Sequence, residues 1–420
     1  MTKPWQAVST VVAISLGLVL LEVPRDTWWT TATLSLACGV AALSLMATAA
    51  FLAGRWPFVE SVFGGLDRVY EVHKWLAVFA LSLASVHLLF KAGIRSWDVA
   101  AILPLGADWT RLVRQASFVG LMLIVVLALN RNIPYSRWRW WHRLSGPLFL
   151  IAVLHWLSIK SPLALVSPIG LWLTALTTLG LAAAAYKLLL YPFLARHADY
   201  RVIGVQRGAS AAQIELEPVS RGIAFQPGNF GFLRMKVDGL REPHPFTIAA
   251  APSPRGPITF VIRALGDYTA RLVAGAEVGM HADVYAPYGR FERSANAGRE
   301  IWIAGGVGIS PFIAWLKDLQ TKGLERVSLF YFYTPGRAFP DIDLLRTMAA
   351  ERGVEFVPVA TGPNTPAFTE RFSEIIHGSD PETLDIAVCG PRGLLDQVLK
   401  LASSHGLAPA RVRHELFAFR

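Results

Sequence analysis

Six apolar runs in the first half of the chain constrain its fold more than any other feature. They lie near residues 7–23, 29–53, 72–90, 116–129, 144–159 and 168–191. Because a helix needs about 20 apolar residues to cross a hydrocarbon core of about 30 Å, the fourth and fifth runs are short and need flanking Trp, Arg and polar residues to complete a crossing. We therefore expect an all-α bundle of six membrane-spanning helices. The first run lacks an obvious cleavage site, which favours a retained helix over a signal peptide.

The charges and tryptophans also place this half of the chain in a membrane. Residues 1–197 hold 16 Lys and Arg against 7 Asp and Glu, while the remainder holds 24 against 23. The apolar half thus carries the excess positive charge and 12 of the 14 Trp, as expected for membrane loops and interfacial belts. A nucleic-acid partner is disfavoured for this reason. Only two cysteines occur, so a disulfide scaffold is excluded.

The basic loop residues favour cytoplasmic N- and C-termini. One side of the bundle is expected to hold Lys3, Arg55, Arg68, Arg131, Arg137, Arg139, Arg143, Lys187 and Arg196, and the other Arg25, Lys91, Arg95, Arg111, Arg114 and Lys160. An even number of spans then leaves the second half of the chain in the cytoplasm. The expected location is the inner, or plasma, membrane of a bacterium.

Four of the ten histidines lie in or at the edge of two apolar runs, where ionisable groups are costly and usually functional. His73 and His87 are 14 residues apart in the third run, and His142 and His155 are 13 apart in the fifth. At 1.5 Å per residue each pair is separated by roughly 20 Å, so two adjacent helices would offer two levels. Each level is suited to one haem, because neutral imidazole is an axial ligand for a low-spin iron.

An ideal helix fits the first pair of histidines better than the second. At 100° per residue His87 returns to within about 40° of His73, whereas His155 lies about 140° from His142. A Gly-Pro pair at 146–147 lies between the second pair, and a kink there would change their relative direction. For His142, which has several tryptophans beside it, an interfacial side chain remains an alternative.

Six spans with this double pair of histidines resemble the ferric reductase and NADPH oxidase superfamily. That family couples a six-helix, two-haem membrane domain to a cytoplasmic dehydrogenase of the ferredoxin reductase type. The resemblance implies three domains: residues 1–197 with the haems, 198–297 as an FAD-binding antiparallel β-barrel, and 298–420 as an NAD(P)H-binding α/β domain. It implies an inner haem between His73 and His142 and an outer haem between His87 and His155.

The residues after 197 support the barrel. Short alternating runs at 202–206, 213–216, 232–237 and 259–263, separated by Gly and Pro, predict antiparallel strands. In the family a His-Pro-Phe-Thr segment lies along the flavin, which needs a flat apolar wall and a few donors. The resemblance therefore assigns this role to His244, Pro245, Phe246 and Thr247, with Phe246 on the isoalloxazine and Thr247 at its nitrogen edge.

A possible pyrophosphate site follows that segment. Guanidinium groups and helix-terminal amides both favour anions, and the candidate residues are Arg263, Gly266, Tyr268 and Thr269. For Arg263 a solvated strand position is an equally good interpretation. Tyr288 and Gly289 resemble the family's loop after the last barrel strands.

From residue 299 onward, strands and helices alternate, which predicts a parallel sheet covered by helices. Its first turn reads G-x-G-x-x-P, with Gly306, Gly308 and Pro311 in the fixed positions. Glycines let a backbone approach a pyrophosphate, and proline suits the first turn of a helix. The proline departs from the usual dinucleotide fingerprint, as it does in ferredoxin reductase-like enzymes.

The resemblance also implies a nicotinamide pocket. It is expected to be lined by Cys389, Gly390 and Pro391, although Cys389 by itself would more often be a small buried strand residue. A terminal aromatic residue stacks on the flavin in the family, and Phe417 is the candidate, with Phe419 as its rival. Arg337 favours NADPH over NADH, because arginine accommodates a 2′-phosphate.

Together these features predict a transmembrane oxidoreductase that transfers electrons from NADPH through FAD and two b-type haems to an acceptor outside the cytoplasm. Oxygen giving superoxide is the preferred acceptor, with Lys91 or Arg95 stabilising the developing negative charge. A ferric chelate, attracted by the basic segment 91–114, is the alternative. A haem subunit serving a periplasmic partner is a further alternative, but the second half of the chain makes an external electron donor unnecessary. No obligatory protein partner is expected.

Overall fold

The computed structural model describes residues 4–130, 132–253, 255–294, 298–360 and 362–415. The chain divides into two compact units, and the boundary falls between Ala195 and Arg196. The first unit is helical, and the second contains two β-sheets.

All six apolar runs form helices in the first unit. Its helices are α1 Pro4–Glu22, α2 Thr31–Leu52, α3 Pro57–Phe63, α4 Leu66–Leu89, α5 Ala107–Leu129, α6 Tyr135–His142, α7 Ser145–Ser158, α8 Pro168–Ala185 and α9 Tyr191–Leu194. A π-helical turn, Tyr186–Leu190, joins the last two. Five of the helical segments described are long and apolar enough to cross a membrane: α1, α2, α4, α5 and the segment Pro168–Leu194.

The fourth and fifth runs differ from what their apolar lengths suggest. The fourth is not short, because α5 begins at Ala107 and has 23 residues, including a polar first turn. The fifth run forms only the 14 residues of α7. The turn that precedes α7 lies at Arg143 and Leu144, and Pro147 belongs to the first turn of α7, where its missing N–H breaks no helical hydrogen bond.

This turn corrects the expectation that one kinked helix carries both histidines of the second pair. His142 is the last residue of α6, whereas His155 lies in α7. Because the two residues belong to different helices, the angular offset of an ideal helix does not apply to them. The break occurs before the Gly-Pro pair rather than at it.

Helix α2 forms the centre of the membrane unit. Of its most apolar window, 67% is buried inside the protein, against 17–22% for the other long helices. Its sequence is rich in Ala and also contains Thr, Ser and one Gly, and small residues let helix backbones approach closely. Its first turn is capped by the Thr30 side chain, which accepts a hydrogen bond from the Thr33 amide.

The second unit begins with an antiparallel sheet that is nearly a closed barrel. Its strands are β1 His197–Arg207, β2 Ala211–Pro218, β3 Phe230–Met235, β4 His244–Thr247, β5 Ile258–Arg263 and β6 His281–Tyr288. They pair in the order β4-β3-β6-β1-β2-β5. The two edge strands approach each other, because Ile248, just after β4, forms a bridge with Phe260 of β5. Helix α10, Asp267–Gly275, follows β5.

A five-stranded parallel sheet forms the rest of the unit. Its strands are β7 Arg299–Gly305, β8 Val327–Phe332, β9 Glu355–Val359, β10 Leu384–Cys389 and β11 Val412–Glu415, in the order β11-β10-β7-β8-β9. Its helices are α11 Ser310–Lys317, α12 Ile342–Glu351, α13 Pro366–His377 and α14 Arg392–Ser404. The expected fold class is thereby confirmed. Helix α13 was not expected, although Phe368, Phe372, Ile375 and Ile376 recur at helical spacing.

The close approach of α8 to α2 gives a test of the membrane packing. A Cβ atom on Gly180 would lie 2.9 Å from the carbonyl oxygen of Ala47 and 2.9 Å from the Phe149 ring, so we expect Gly180→Leu to destabilise the unit. Overpacking of this kind costs about 1–3 kcal/mol. Thermal unfolding in detergent measures the effect. Gly17→Leu in α1 is the matched control, because nothing lies within 4 Å of a Cβ atom there; equal loss in both variants would contradict the prediction.

Candidate functional site

The strand order of the parallel sheet reverses between β7 and β10, because β8 and β9 are added on one side of β7, and β10 and β11 on the other. Strand β7 pairs with β8 on one side and with β10 on the other, so the loops that follow β7 and β10 leave the sheet side by side. In open parallel sheets, ligands bind in the crevice outside the carboxyl ends of the strands at such a switch point. The glycine loop and the segment Cys389 to Pro391 both lie at this point.

Two glycines shape the crevice. A Cβ atom on Gly308 would lie 2.2 Å from the carbonyl oxygen of Cys389, so a side chain at 308 would separate the two loops. Gly306 has φ of 55°, in the left-handed region that glycine favours. Helix α11 starts at Ser310, with Pro311 in its first turn, as the motif predicted. The loop therefore brings backbone amides close to the crevice.

A cavity of about 550 Å³ opens at this edge of the sheet. Arg263 from the barrel, Gly306, the chain after β8 including Arg337, and Pro391 contribute to its lining. Its volume is within the range of about 300–1,000 Å³ that is usual for small-molecule sites. The guanidinium group of Arg263 lies 4.0 Å from the position of a Cβ atom on Gly306. The structure thus places two arginines around a glycine loop, which suits a ligand with several phosphates.

The His-Pro-Phe-Thr segment forms strand β4 itself. The imidazole of His244 stacks on the ring of Tyr268, with centroids 3.7 Å apart and planes 17° apart. The hydroxyl of Tyr268 donates to the carbonyl oxygen of Leu240 at 3.2 Å. Tyr268 is therefore buried against the barrel core, and Phe246 also packs against this core. Thr247 is buried as well.

The N-terminus of α10 is capped by a side chain of its own first turn. The hydroxyl oxygen of Thr269 accepts hydrogen bonds from the amides of Leu265 and Gly266 at 2.9 and 3.0 Å. Gly266 is the N-cap of the helix. The hydroxyl of Thr269 thus serves as a capping group. The backbone amides of the first turn of α10 are the groups that the sequence predicted as an anion site.

The loop after β6 is held by Asn229, which belongs to the turn before β3 and was not among the predicted site residues. The side-chain amide of Asn229 donates to the carbonyl oxygen of Gly289 at 3.0 Å. Gly289 has φ of 90°, and a Cβ atom there would lie 2.8 Å from the Phe230 ring. Tyr288 stacks on the same ring, with centroids 5.9 Å apart. The sequence feature that could have indicated this contact is the Gly-Asn-Phe turn before β3.

Cys389 ends β10 and is only 1% exposed. Burial, together with the nearby Glu415 carboxylate, raises the pKa of the Cys389 thiol well above its usual value. Its side chain therefore stays an uncharged thiol over the physiological pH range. Phe417 and Phe419, the two candidates for the aromatic residue on the flavin, lie outside the described residues.

The four histidines of the membrane unit form two pairs. The ring centroids of His73 and His142 are 6.0 Å apart, and those of His87 and His155 are 6.4 Å apart. Two imidazoles that bind one metal from opposite sides, each at about 2.0–2.1 Å, have centroids roughly 6 Å apart. Both pairs therefore have the separation that one iron between them requires.

Helix α2 fixes one histidine of each pair. The Nδ1 atom of His73 lies 2.8 Å from the carbonyl oxygen of Ala49, and that of His87 lies 2.8 Å from the carbonyl oxygen of Ser35. A carbonyl accepts only from a protonated nitrogen, so the proton of each ring is held at Nδ1. Nε2 is then the nitrogen with a lone pair for a metal. The residues present thus fit the axial ligation of a haem.

A cluster of cations around Lys187 was missed from the sequence. The ammonium group of Lys187 lies 3.3 Å from the centroid of the Tyr191 ring, and its buried Nζ has no hydrogen-bond partner among the described residues. Arg55 and Arg139 are its electrostatic neighbours. From the sequence Lys187 is expected to be a loop charge, although an ionisable residue within an apolar run is itself a functional signal. It lies in the π-helical turn, a feature frequent at functional sites.

The outer pair also has cations nearby. Arg114 of α5 is an electrostatic neighbour of His155. Lys91 and Arg95 lie in the segment after α4, and both are exposed. Arg114 was considered only for orientation in the sequence analysis, because its place near His155 depends on the packing of α5 against α7.

Comparison with known proteins finds a similar membrane domain. Residues 38–153 match the family model "Ferric reductase like transmembrane component". The membrane unit carries a ferric reductase-like transmembrane domain. The match includes His73, His87 and His142 and ends two residues before His155.

Two curated relatives that align with about half of this chain are a reductase component and an electron transfer component. The chain is 23% identical over 219 residues to the reductase component of propane 2-monooxygenase from Rhodococcus jostii (strain RHA1), covering 49% of this chain and 59% of the relative. It is 25% identical over 205 residues to the electron transfer component of toluate 1,2-dioxygenase from Pseudomonas putida, covering 47% and 60%. The chain thus spans about 60% of the length of these relatives.

A solved structure, ferredoxin NADP+ reductase from Neisseria gonorrhoeae, is 19% identical and aligns with 53% of this chain and 98% of its own, with a TM-score of 0.43. The ferric reductase-like domain, together with the reductase relatives, fits the ferric reductase and NADPH oxidase superfamily. The resemblance stated from the sequence is confirmed at this level.

The contact at Gly308 gives a test of the crevice. We expect Gly308→Ala to weaken the binding of a nicotinamide dinucleotide at least tenfold, because the new methyl group would push the glycine loop away from Cys389. Fluorescence or calorimetric titration of the purified protein measures the dissociation constant. Gly275→Ala is the control, since nothing lies within 4 Å of a Cβ atom there; unchanged affinity in Gly308→Ala would show that the crevice is not the binding site.

Proposed function

We propose that the chain is a transmembrane oxidoreductase that moves electrons from cytoplasmic NADPH, through FAD and two bis-histidine haems, to oxygen on the other side of the membrane, giving superoxide. The observation that carries this proposal is the presence of two histidine pairs in one helical bundle, with centroid separations of 6.0 and 6.4 Å. We propose cytoplasmic N- and C-termini, because the basic loop residues are more numerous on that side of the helices. The three domains proposed are residues 1–197, 198–297 and 298–420.

The membrane unit would hold the haems. His73 and His142 are the proposed ligands of the inner haem, and His87 and His155 those of the outer haem. A haem iron held by two imidazoles exchanges single electrons. The protein contributes position: the carbonyl groups of α2 hold the Nδ1 protons of His73 and His87, so that Nε2 of each ring is available.

The cationic cluster around Lys187 includes Arg139, one turn before His142 in α6, and it supports an anionic cofactor there. A buried ammonium group without a hydrogen-bond partner is costly unless it is neutralised. Haem carries two carboxylates, and we propose that Lys187, Arg55 and Arg139 supply their counter-charges. The ring of Tyr191 covers Lys187, and the hydroxyls of Tyr191 and Tyr70 accept hydrogen bonds from Arg55.

The second unit would bind the electron donor and the flavin. The crevice at Gly306 and Gly308 is the proposed pyrophosphate site of the nicotinamide dinucleotide, and Arg337 in the cavity lining favours a 2′-phosphate, hence NADPH. Strand β4 is the proposed wall of the flavin site, with Phe246 toward the isoalloxazine. FAD supplies the conversion of a two-electron hydride into single electrons. Cys389, Gly390 and Pro391 would line the nicotinamide end.

Substitution of the ligands tests the haem assignment. We expect alanine at His73 or His142 to reduce the haem content from two to one per chain by loss of the inner haem, and alanine at His87 or His155 to remove the outer one. Absorption spectra with and without dithionite, with a pyridine haemochrome count, measure the content. Reduction of FAD by NADPH should persist in all four variants, and His377→Ala should keep both haems. Two haems in every variant, or none in the parent protein, would refute the assignment.

Reduction of a ferric chelate is the second candidate function. It is favoured by the exposed cations Lys91 and Arg95, which would attract an anionic chelate, and by the ferric reductase-like match of the membrane domain. Oxygen needs only a small pocket and a positive charge near the outer haem. The same two residues and Arg114 would supply the charge.

Kinetic assays of the purified, FAD-loaded protein separate the two acceptors. The oxidase proposal expects NADPH-dependent oxygen consumption with a superoxide-specific signal, which decreases several-fold in Lys91→Ala because one charge near the acceptor is lost. Lys160→Ala is the control, an exposed lysine assigned to the same side. Activity that strictly requires a ferric chelate, with negligible oxygen consumption, would replace the oxidase proposal with the reductase.

A further inference from the structure

The two histidines of α4 are held by α2 in the same way, except for one hydroxyl group. His73 and His87 are 14 residues apart, and so are their acceptors Ala49 and Ser35, because the two helices run antiparallel. At each level a helical carbonyl oxygen lies 2.8 Å from Nδ1 of the imidazole. Among the residues that the structure describes, a side chain joins this contact only at the outer level.

That side chain is Ser35. Its hydroxyl oxygen lies 3.1 Å from Nδ1 of His87. It is also within donor distance of two backbone carbonyls, Phe90 at 2.8 Å and His87 at 3.1 Å. A hydroxyl has one proton and two lone pairs. Since the proton is directed to a carbonyl at the end of α4, a lone pair is left to face Nδ1, and the Nδ1 proton is shared between the carbonyl and the hydroxyl of one residue.

The fit around His87 is close. One turn after Ser35, a Cβ atom on Gly39 would lie 2.8 Å from Nδ1 and 2.9 Å from Cε1 of His87. The ring therefore occupies the space that the missing side chain leaves. Ser35 is fully buried, so solvent does not compete for its hydroxyl.

We propose that Ser35 is a positioning residue that holds the outer imidazole and lowers the reduction potential of the outer haem relative to the inner one. This inference rests on the proposed function, because it takes His87 as a haem ligand. An acceptor on the distal nitrogen of a ligating histidine raises the basicity of the ligand and fixes its orientation. A more basic ligand favours the ferric state. Within the described part of the chain His87 has two acceptors and His73 has one, so the two haems are made unequal by the protein.

Redox titration of Ser35→Ala in the full-length, haem-loaded protein tests this inference. We expect the reduction equilibrium of the outer haem to shift about threefold toward the ferrous state, close to 30 mV for one electron, which corresponds to the loss of one weak hydrogen bond. The inner haem should not change. Repeating the titration in a His73→Ala background isolates the outer haem.

Ser44→Ala is the matched control. Ser44 is a fully buried serine of the same helix, whose hydroxyl contacts Ser15 at 3.2 Å and Trp172 at 3.1 Å and no histidine. It should leave both potentials unchanged. An unshifted outer potential in Ser35→Ala, or the same shift in Ser44→Ala, would overturn the inference while two bound haems keep the proposed function intact.

Loss of haem is also informative. Loss of the outer haem alone in Ser35→Ala supports the inference, because removal of an outer-shell partner typically costs 10–100-fold in affinity. If both haems are lost, Ser35→Thr decides: parental potentials in this variant, which keeps the hydroxyl, support the role of the hydroxyl, and renewed loss of both haems overturns it. A parent protein without haem would instead refute the proposed function.

Discussion

The membrane unit depends on one kind of interaction, the hydrogen bond from a buried imidazole to a carbonyl group of α2. An imidazole N–H in an apolar bundle is costly unless it is paired. Ala49 and Ser35 provide acceptors at matching depths, so the ring orientations of His73 and His87 are fixed from one helix. The high burial of α2 and its small side chains make this possible, because larger residues would keep α4 away from the helix backbone.

The second unit depends on a comparable approach of backbone to backbone. Gly308 lets the loop after β7 contact the end of β10, and the strand order opens a crevice at the same point. Both halves of the chain therefore use missing side chains to let two of their own segments approach closely: Gly39 beside His87, and Gly308 beside Cys389. In each case a side chain at the glycine position would push the two segments apart.

The sequence was a good guide to local structure. Six apolar runs indicated six helical segments, alternation indicated the barrel strands, and G-x-G-x-x-P indicated a strand, loop and helix. It was a poorer guide where polar residues extend a helix, as in the first turn of α5, or where a turn divides an apolar run from its histidine, as at Arg143 and Leu144. Lys187 was overlooked because its position near the end of a span resembled that of a loop charge.

What the sequence by itself determined is the set of elements and the spacing of chemical groups, because hydrophobic period and motif are properties of neighbouring residues. The tertiary structure alone decided which groups meet. That His142 faces His73 from a separate helix, that Ser35 reaches His87 across 52 positions, and that Arg263 lies beside Gly306 all depend on packing between distant segments. Local sequence patterns do not predict these contacts, because many different pairings of the same helices and strands are compatible with the same patterns.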